Sequence, residues 1–468
     1  MRTVLALVAA LGLLASRARA AEELKLPPVT RATLDNGLRV LVAEYHELPL
    51  VEFYVIVGAG AAQDPAGKDG LASLTANTLK RGAGKLSAEA LAKAIESLGG
   101  QIGVAAGTDG TIVNGEFLSS DFGTGLDLLR QVLTEPTFAR DEVRRARDEQ
   151  LAGIVASLEQ PGPVADKCFA AFLYGSHPYG RPLDGRRKTV EQLVRGDVRG
   201  FYDRWYHPND TILVLVGDVS ADDALAKLRA AFGSWKASPD ALAPRTPPPA
   251  PGVARRILLV DKPDATQTQL RFGNMSIARN HPDYLPAQVA NTILGGGFTS
   301  KLIEELRVKR SLTYSAYSMF SARLTGGDFR VSTFTKTPTT VETLDLALAV
   351  TGDFRARPPV PKALAKARTF LMGQFPLKLE TPEALAAKLA EIELHGLPQD
   401  ELTSYRSRVA RVDAAEVERV AQADIPSMDT VAIVVVGKAS EIRAPLEAKY
   451  GPVQVVTPDA CEDLAVSK

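Results

Sequence analysis

One feature limits what this chain can fold into more than any other: its strand pattern is used twice, on either side of a proline-rich break. Residues 238–252 read SPDALAPRTPPPAPG, with six prolines. Proline fixes φ and removes a backbone donor, so this stretch is a stiff extended linker and no part of a sheet or helix. Each half opens with two strand-like runs, LRVLVAEYHELPLVEFYVIVG (38–58) and RILLVDKPDATQTQLRFG (256–273). Each also closes on a β-branched run that ends in glycine, TILVLVGD (211–218) and TVAIVVVG (430–437). Gly58 and Gly273 stand 215 residues apart, and Gly217 and Gly437 stand 220 apart. Two landmarks repeating at nearly one offset imply internal duplication.

Amphipathic helices lie between the runs. Ser87 can cap a helix on which Leu91, Ile95 and Leu98 share a face before Gly99 ends it. Similar periodicity covers 121–134, 141–158, 284–294, 299–309, 341–354 and 361–372. Strands in runs followed by helices in runs predict an α+β fold built twice: two homologous domains, each an antiparallel sheet with helices packed on one face. The expected division is 21–237, a linker at 238–253, 254–456, and a tail at 457–468.

Residues 1–20, MRTVLALVAALGLLASRARA, hold an apolar run too short to span a bilayer, closed by an Ala-x-Ala pattern. This reads as a cleaved export signal, which would place the mature chain across the inner membrane, in the periplasm, with no stable membrane insertion. Its removal takes three arginines and no acid, leaving 52 basic against 55 acidic residues. A chain so near neutrality has no electrostatic draw toward nucleic acid. The only cysteines are Cys168 and Cys461, so the fold rests on its core; whether the two pair is left open by sequence.

Four stretches carry a resemblance: LDNGLRVLV (34–42), HPYGRPLDG (177–185), FYDRWYHPNDTILVLVGDV (201–219) and GGGFTSKLIEELRVKRSLTYS (295–315). Together they are similar to the pitrilysin/insulinase family of zinc peptidases and the mitochondrial processing peptidases, in the family's order. The resemblance implies homologous α+β domains that face each other as a clamshell. The family's catalytic helix carries H-x-x-E-H, two imidazoles at i and i+4 with a glutamate base, and a later helix adds a further Glu ligand. Aligned on GLASLTANT (70–78), these positions are Ser73, Ala76 and Asn77, and the later ligand falls at Gly153, one turn beyond Glu149. A hydroxyl, a methyl and an amide cannot replace two imidazoles and a carboxylate, so no metal or other cofactor is expected on this chain. The five histidines offer no substitute spacing, and three of them precede proline as turn residues.

A second family element is retained. After the Gly295, Gly296, Gly297, Phe298 turn come Arg307 and, seven residues on, Tyr314. The resemblance implies that an Arg and a Tyr at this spacing, with the Gly-rich loop as substrate-binding element, hold a peptide and stabilise the oxyanion at the zinc of another domain. Arg310 is the runner-up for the arginine. The strand region 103–117 resembles the edge to which substrate peptides add. The expectation is a non-zinc subunit of a heterodimeric zinc peptidase, with zinc and H-x-x-E-H supplied by an insulinase-family partner and short or unfolded peptides as substrates. An inert structural or peptide-binding protein, like the core subunits of respiratory complexes, is the alternative. An independently active hydrolase using other residues is disfavoured, because no G-x-S-x-G occurs and no Ser/His/Asp set stands out.

Overall fold

The computed structural model describes residues 25–239, 246–250, 252 and 254–465. The segment read as an export signal and part of the linker lie outside them. Strands β1 (Val29–Thr33), β2 (Arg39–Glu44) and β3 (Leu50–Val57) open the first half, and a small ribbon, β4 (Gly82–Ala83) and β5 (Leu86–Ser87), follows. Then come β6 (Gln101–Ala106), β7 (Thr111–Leu118) and β8 (Thr211–Gly217). The second half contributes β9 (Arg256–Asp261), β10 (Gln267–Ser276), β11 (Ala316–Ala322), β12 (Gly327–Lys336), β13 (Ala432–Gly437) and β14 (Gln454–Val456).

Among the described residues, one six-stranded sheet runs β1-β2-β8-β3-β7-β6 and the other β11-β12-β10-β13-β9-β14. Reversing the second makes the duplication plain: β9, β13, β10, β12 and β11 take the places of β2, β8, β3, β7 and β6. The outer place differs. It is filled by β1 from the chain's beginning in one sheet and by β14 from near its end in the other. Most pairs are antiparallel as expected, but β2 and β8 run parallel, as do β13 and β9, and β14 and β9.

The helices used below are α1 (Leu71–Leu79), α2 (Arg140–Leu158), α3 (Pro161–Tyr174), α4 (Tyr284–Leu294), α5 (Pro361–Gln374), α6 (Pro382–His395) and α7 (Pro458–Glu462). One face of each sheet packs on helices of its own half, giving a core around Val40, Phe53 and Phe117 in the first and around Phe272, Phe329 and Val435 in the second.

The opposite faces are covered as well, which corrects the expectation of helices on one side only. Leu385, Leu389 and Ile392 of α6, from the second half, pack on Leu41, Ile212 and Val214 of the first sheet. Reciprocally, Val164, Phe169 and Phe172 of α3, from the first half, pack on Leu258, Val260 and Val434 of the second. Runs such as TILVLVG are buried at every residue because apolar side chains on both faces have a partner. Each half therefore lends a helix to the other.

Local sequence explains the lent helices. Thr381 Oγ1 accepts the Ala384 amide at 3.1 Å, Pro382 starts α6 and left-handed Gly396 ends it. Polar links fasten the joint: Arg271 to Asp166 at 2.8 Å, Arg31 to Glu393 at 3.2 Å, and Tyr174 Oη donating to Asp328 at 3.0 Å. The sulfurs of Cys168 on α3 and Cys461 on α7 are bonded, tying the lent helix to the end of the chain.

Candidate functional site

Two places hold the residues singled out from sequence. The first is α1, which spans the residues expected of it. Gly70 enters the helix with φ +93, a conformation natural to glycine. The buried Asp64 carboxyl accepts from Gly70 N at 2.7 Å and Ala72 N at 2.8 Å, and burial pushes its pKa up to about 7. Gln150 of α2 donates from Nε2 to Gly70 O at 3.0 Å and to Asp184 O at 2.8 Å.

On the helix itself the expected positions do not converge. Ser73 is buried at 5% exposure and its hydroxyl donates to Leu183 O at 2.8 Å. Ala76 is buried in the packing, whereas Asn77 is exposed to solvent, so the i, i+4 pair is split between interior and surface. Gly153, on α2, is exposed and has no side chain to offer. What joins α1 to α2 is an ion pair: Arg81 Nε donates to Asn77 O at 3.2 Å while its Nη2 meets Glu149 at 2.5 Å. A protein cation sits at the end of α1, beside the carboxylate nearest the missing ligand. Zinc does not fit this donor set, and among the described residues no group of three or more His, Cys, Asp or Glu is placed to hold a metal ion.

The histidines do structural work. His177 donates from Nε2 to Pro247 O at 2.7 Å and accepts the Tyr179 amide on Nδ1, which brings the linker to the HPYG turn. Tyr179 Oη reaches Asp109 at 2.7 Å and Thr325 Oγ1 at 3.0 Å, spanning the two halves.

The second place is the retained Arg/Tyr element. After α4, the amides of Gly295 and Gly296 both donate to Asn291 O, at 2.9 and 2.7 Å. A Cβ on Gly295 would lie 2.4 Å from Ser318 N, so close approach to β11 requires glycine there, whereas Gly297 has open space. Gly295 thus ends α4 as its C-cap while the glycines that follow form the loop. The chain then winds into a π-helical turn at Ile303–Lys309, a rare geometry met often at functional sites. It leaves through Ser311 at φ +53, a left-handed conformation uncommon outside glycine.

That reversal brings Tyr314 back over Arg307, with the guanidinium carbon 4.6 Å from the ring centroid. Hydroxyls of β12 pin the backbone on both sides: Thr333 donates to Ser315 O at 2.9 Å and Thr335 to Leu312 O at 2.7 Å. The Tyr314 side chain is nonetheless 73% exposed, and Arg307 forms no ion pair among the described residues. Gly295, Gly296, Gly297, Phe298, Arg307 and Tyr314 all line one groove of about 540 Å³ with the start of β11. Arg310 is exposed outside that lining.

Sequence reasoning missed the openness of β11, which among the described residues pairs only with β12 and runs along this groove as an edge strand. β6 is likewise an edge, packed beside α1. Its place beside α1 is where the peptide-adding strand was expected. Among the described residues no helix is long and apolar enough to cross a membrane.

A duplicated α+β scaffold with open sheet edges, whose α1 lacks zinc-binding side chains, points to a peptidase-like protein without its own metal site. Comparison with known proteins gives the family. Residues 39–186 match the model of the insulinase family, peptidase family M16, and 192–371 that of the peptidase M16 inactive domain. The chain belongs to the insulinase (M16) family. It is 30% identical over 294 residues to an uncharacterized zinc protease of Mycobacterium leprae, spanning 62% of this chain and 65% of that protein's length. It is 23% identical to the non-peptidase homolog YmxG of Helicobacter pylori, over 86% of this chain and 92% of that one. A crystal structure of a peptidase M16 inactive domain from Pseudomonas fluorescens superposes with a TM-score of 0.83 at 29% identity, covering 88% of this chain and 98% of the other.

Proposed function

We propose that this chain is the non-zinc subunit of a two-chain M16 peptidase, supplying Arg307 and Tyr314 to a substrate peptide held at the zinc of a partner subunit bearing H-x-x-E-H. The observation that carries the reading is an asymmetry. The metal positions have been absorbed into packing or lost to solvent, while Arg307 and Tyr314 stack on each other at the groove beside left-handed Ser311, with the Tyr314 ring open to solvent. Arg keeps its charge at any working pH and Tyr adds an oriented hydroxyl, which suits a developing oxyanion.

The lent helices support the need for a second chain. With α3 and α6 packed on the spare sheet faces, those faces are not free to line a substrate chamber, in keeping with a chamber closed by another subunit. Short or unfolded peptides would be the substrates. The Cys168–Cys461 bond supports an oxidising compartment, in keeping with export to the periplasm.

The test is turnover by the reconstituted pair. Arg307→Ala or Tyr314→Phe is expected to lower kcat by about a hundred- to a thousandfold with the partner's zinc content unchanged. Unchanged turnover would show that the chain is a scaffold, the inert structural reading. Zinc-dependent cleavage by this chain alone would also overturn the proposal.

A further inference from the structure

The Phe298 loop has two sides, and the Arg307–Tyr314 groove occupies only one. On the other side a larger groove of about 810 Å³ opens between the end of α4 and the start of α5, sharing Gly296, Gly297 and Phe298 with the first. Its apolar lining comes from Ile293, Val360, Ala363, Ala367 and Phe370. Phe298 is 84% exposed, Val360 63% and Phe370 40%, a concentration of large apolar surface in a concavity that ordinary monomer surfaces avoid.

The charges around this lining are mostly positive. Lys301, Lys362 and Lys366 border it, and none has an ion-pair partner among the described residues. Lys301 leans on the Phe354 ring at 5.5 Å. The single acid of the lining, Glu304, shares Lys309 with Glu305, at 3.1 and 2.6 Å, so three lysines face one partly screened carboxylate. The first turn of α5 lines the same end, so its helix dipole adds to the positive field. The groove therefore offers apolar surface to large side chains and unpaired ammonium groups to carboxylates.

We propose that this second groove is a specificity subsite for an extended peptide segment that combines large apolar side chains with acidic residues. A chain lying along the open edge of β11 reaches Arg307 and Tyr314, crosses the Phe298 loop, and places its apolar and acidic side chains between Phe370 and the two α5 lysines. The proposal rests on the reading that the neighbouring groove takes peptide. Peptide is favoured over other anions because the path begins at an unpaired strand edge, whose backbone groups suit another polypeptide.

The test uses the intact, disulfide-bonded chain and two fluorescein-labelled twelve-residue peptides. They share Leu and Phe residues and differ in carrying four Asp or four Lys. Fluorescence anisotropy should show the acidic peptide binding at least about tenfold more tightly, with the gap closing as salt is raised. Lys362→Glu with Lys366→Glu should invert the preference, and Phe370→Ser should weaken both peptides. Arg307→Ala should leave the charge preference in place, so loss of turnover in the reconstituted pair and loss of charge selectivity here are separate failures. Equal affinities, or a preference untouched by the double charge reversal, would sink the proposal. So would a fluorescent single-stranded oligonucleotide that binds more tightly through the same lysines. A dimer in sedimentation that Val360→Asp with Phe370→Asp dissociates would make the groove an interface between copies and overturn it too.

Discussion

Reducing the Cys168–Cys461 bond is the perturbation whose size the structure fixes best. The cysteines are 293 residues apart in sequence with Cα atoms 5.4 Å apart, so the bond closes a loop containing the linker and nearly the whole second half. In the chain-entropy account, a loop that long removes about 5–6 kcal/mol of unfolded-state freedom at 25 °C, and measured disulfides more often deliver about 2–4. Both sulfurs are buried between α3, α7 and the second sheet, so reduction has to be done in the unfolded chain before refolding. The assay compares urea unfolding of oxidised and reduced protein, which removes the cross-link without deleting atoms from the core. With the steep denaturant slope of a chain this size, a loss of about 3 kcal/mol moves the midpoint by about 1 M or somewhat less. Superimposable curves would refute the reasoning. Two thiols alkylated in the native oxidised protein would refute the pairing itself.

Other consequences concern the joint and the vacated helix. Glu52 on β3 is 2% exposed, faces Glu116 and Glu383, and burial pushes its pKa from 4.5 to about 8. Its carboxyl thus keeps a proton in the fold that it gives up when unfolded, and the stability this provides is lost as pH rises from about 4.5 through 8. Asp64 has the same sign but a window ending near 7. Between pH 7 and 9 the native protein is therefore expected to lose about 1 kcal/mol that Glu52→Gln does not lose, read by chemical denaturation at the two pH values. Gly70→Ala puts a Cβ 2.6 Å from Asp184 O at φ +93 and is expected to lower stability by about 2–4 kcal/mol, seen as a fallen Tm. Arg81→Ala removes partly exposed ion pairs to Glu149 and Glu142 and the hydrogen bond to Asn77 O, and should lower stability by about 1 kcal/mol, with α1 retained by circular dichroism.

The sequence revealed much because much of the fold is locally encoded. The proline-rich break and the paired β-branched runs marked the duplication, and the sheets repeat in the same strand order apart from the outer place. The helix at 284–294 and the span of α1 were readable from apolar spacing and their flanking glycines. The Gly295–Arg307–Tyr314 set was readable as a family motif, but only the π-helical turn and left-handed Ser311 show how the ring comes to lie over the guanidinium. The two lent helices were passed over. α3 is apolar around much of its circumference, so it shows little of the one-sided period that marks a surface helix. A clue was present in TILVLVG and TVAIVVVG, whose lack of polar alternation already requires cover on both faces.

The amino-acid sequence by itself determined that the chain is a doubled α+β unit of an M16 protein and that its metal positions hold side chains with no power to grip zinc. Those are properties of residue type and short-range spacing. Tertiary structure alone decided that each half covers the other's sheet, that two cysteines 293 residues apart become neighbours, and that a second groove with unpaired lysines opens beside Phe298. Such pairings depend on which apolar face finds which partner once the chain has collapsed. Burial of apolar surface is non-directional and carries no label of sequence distance.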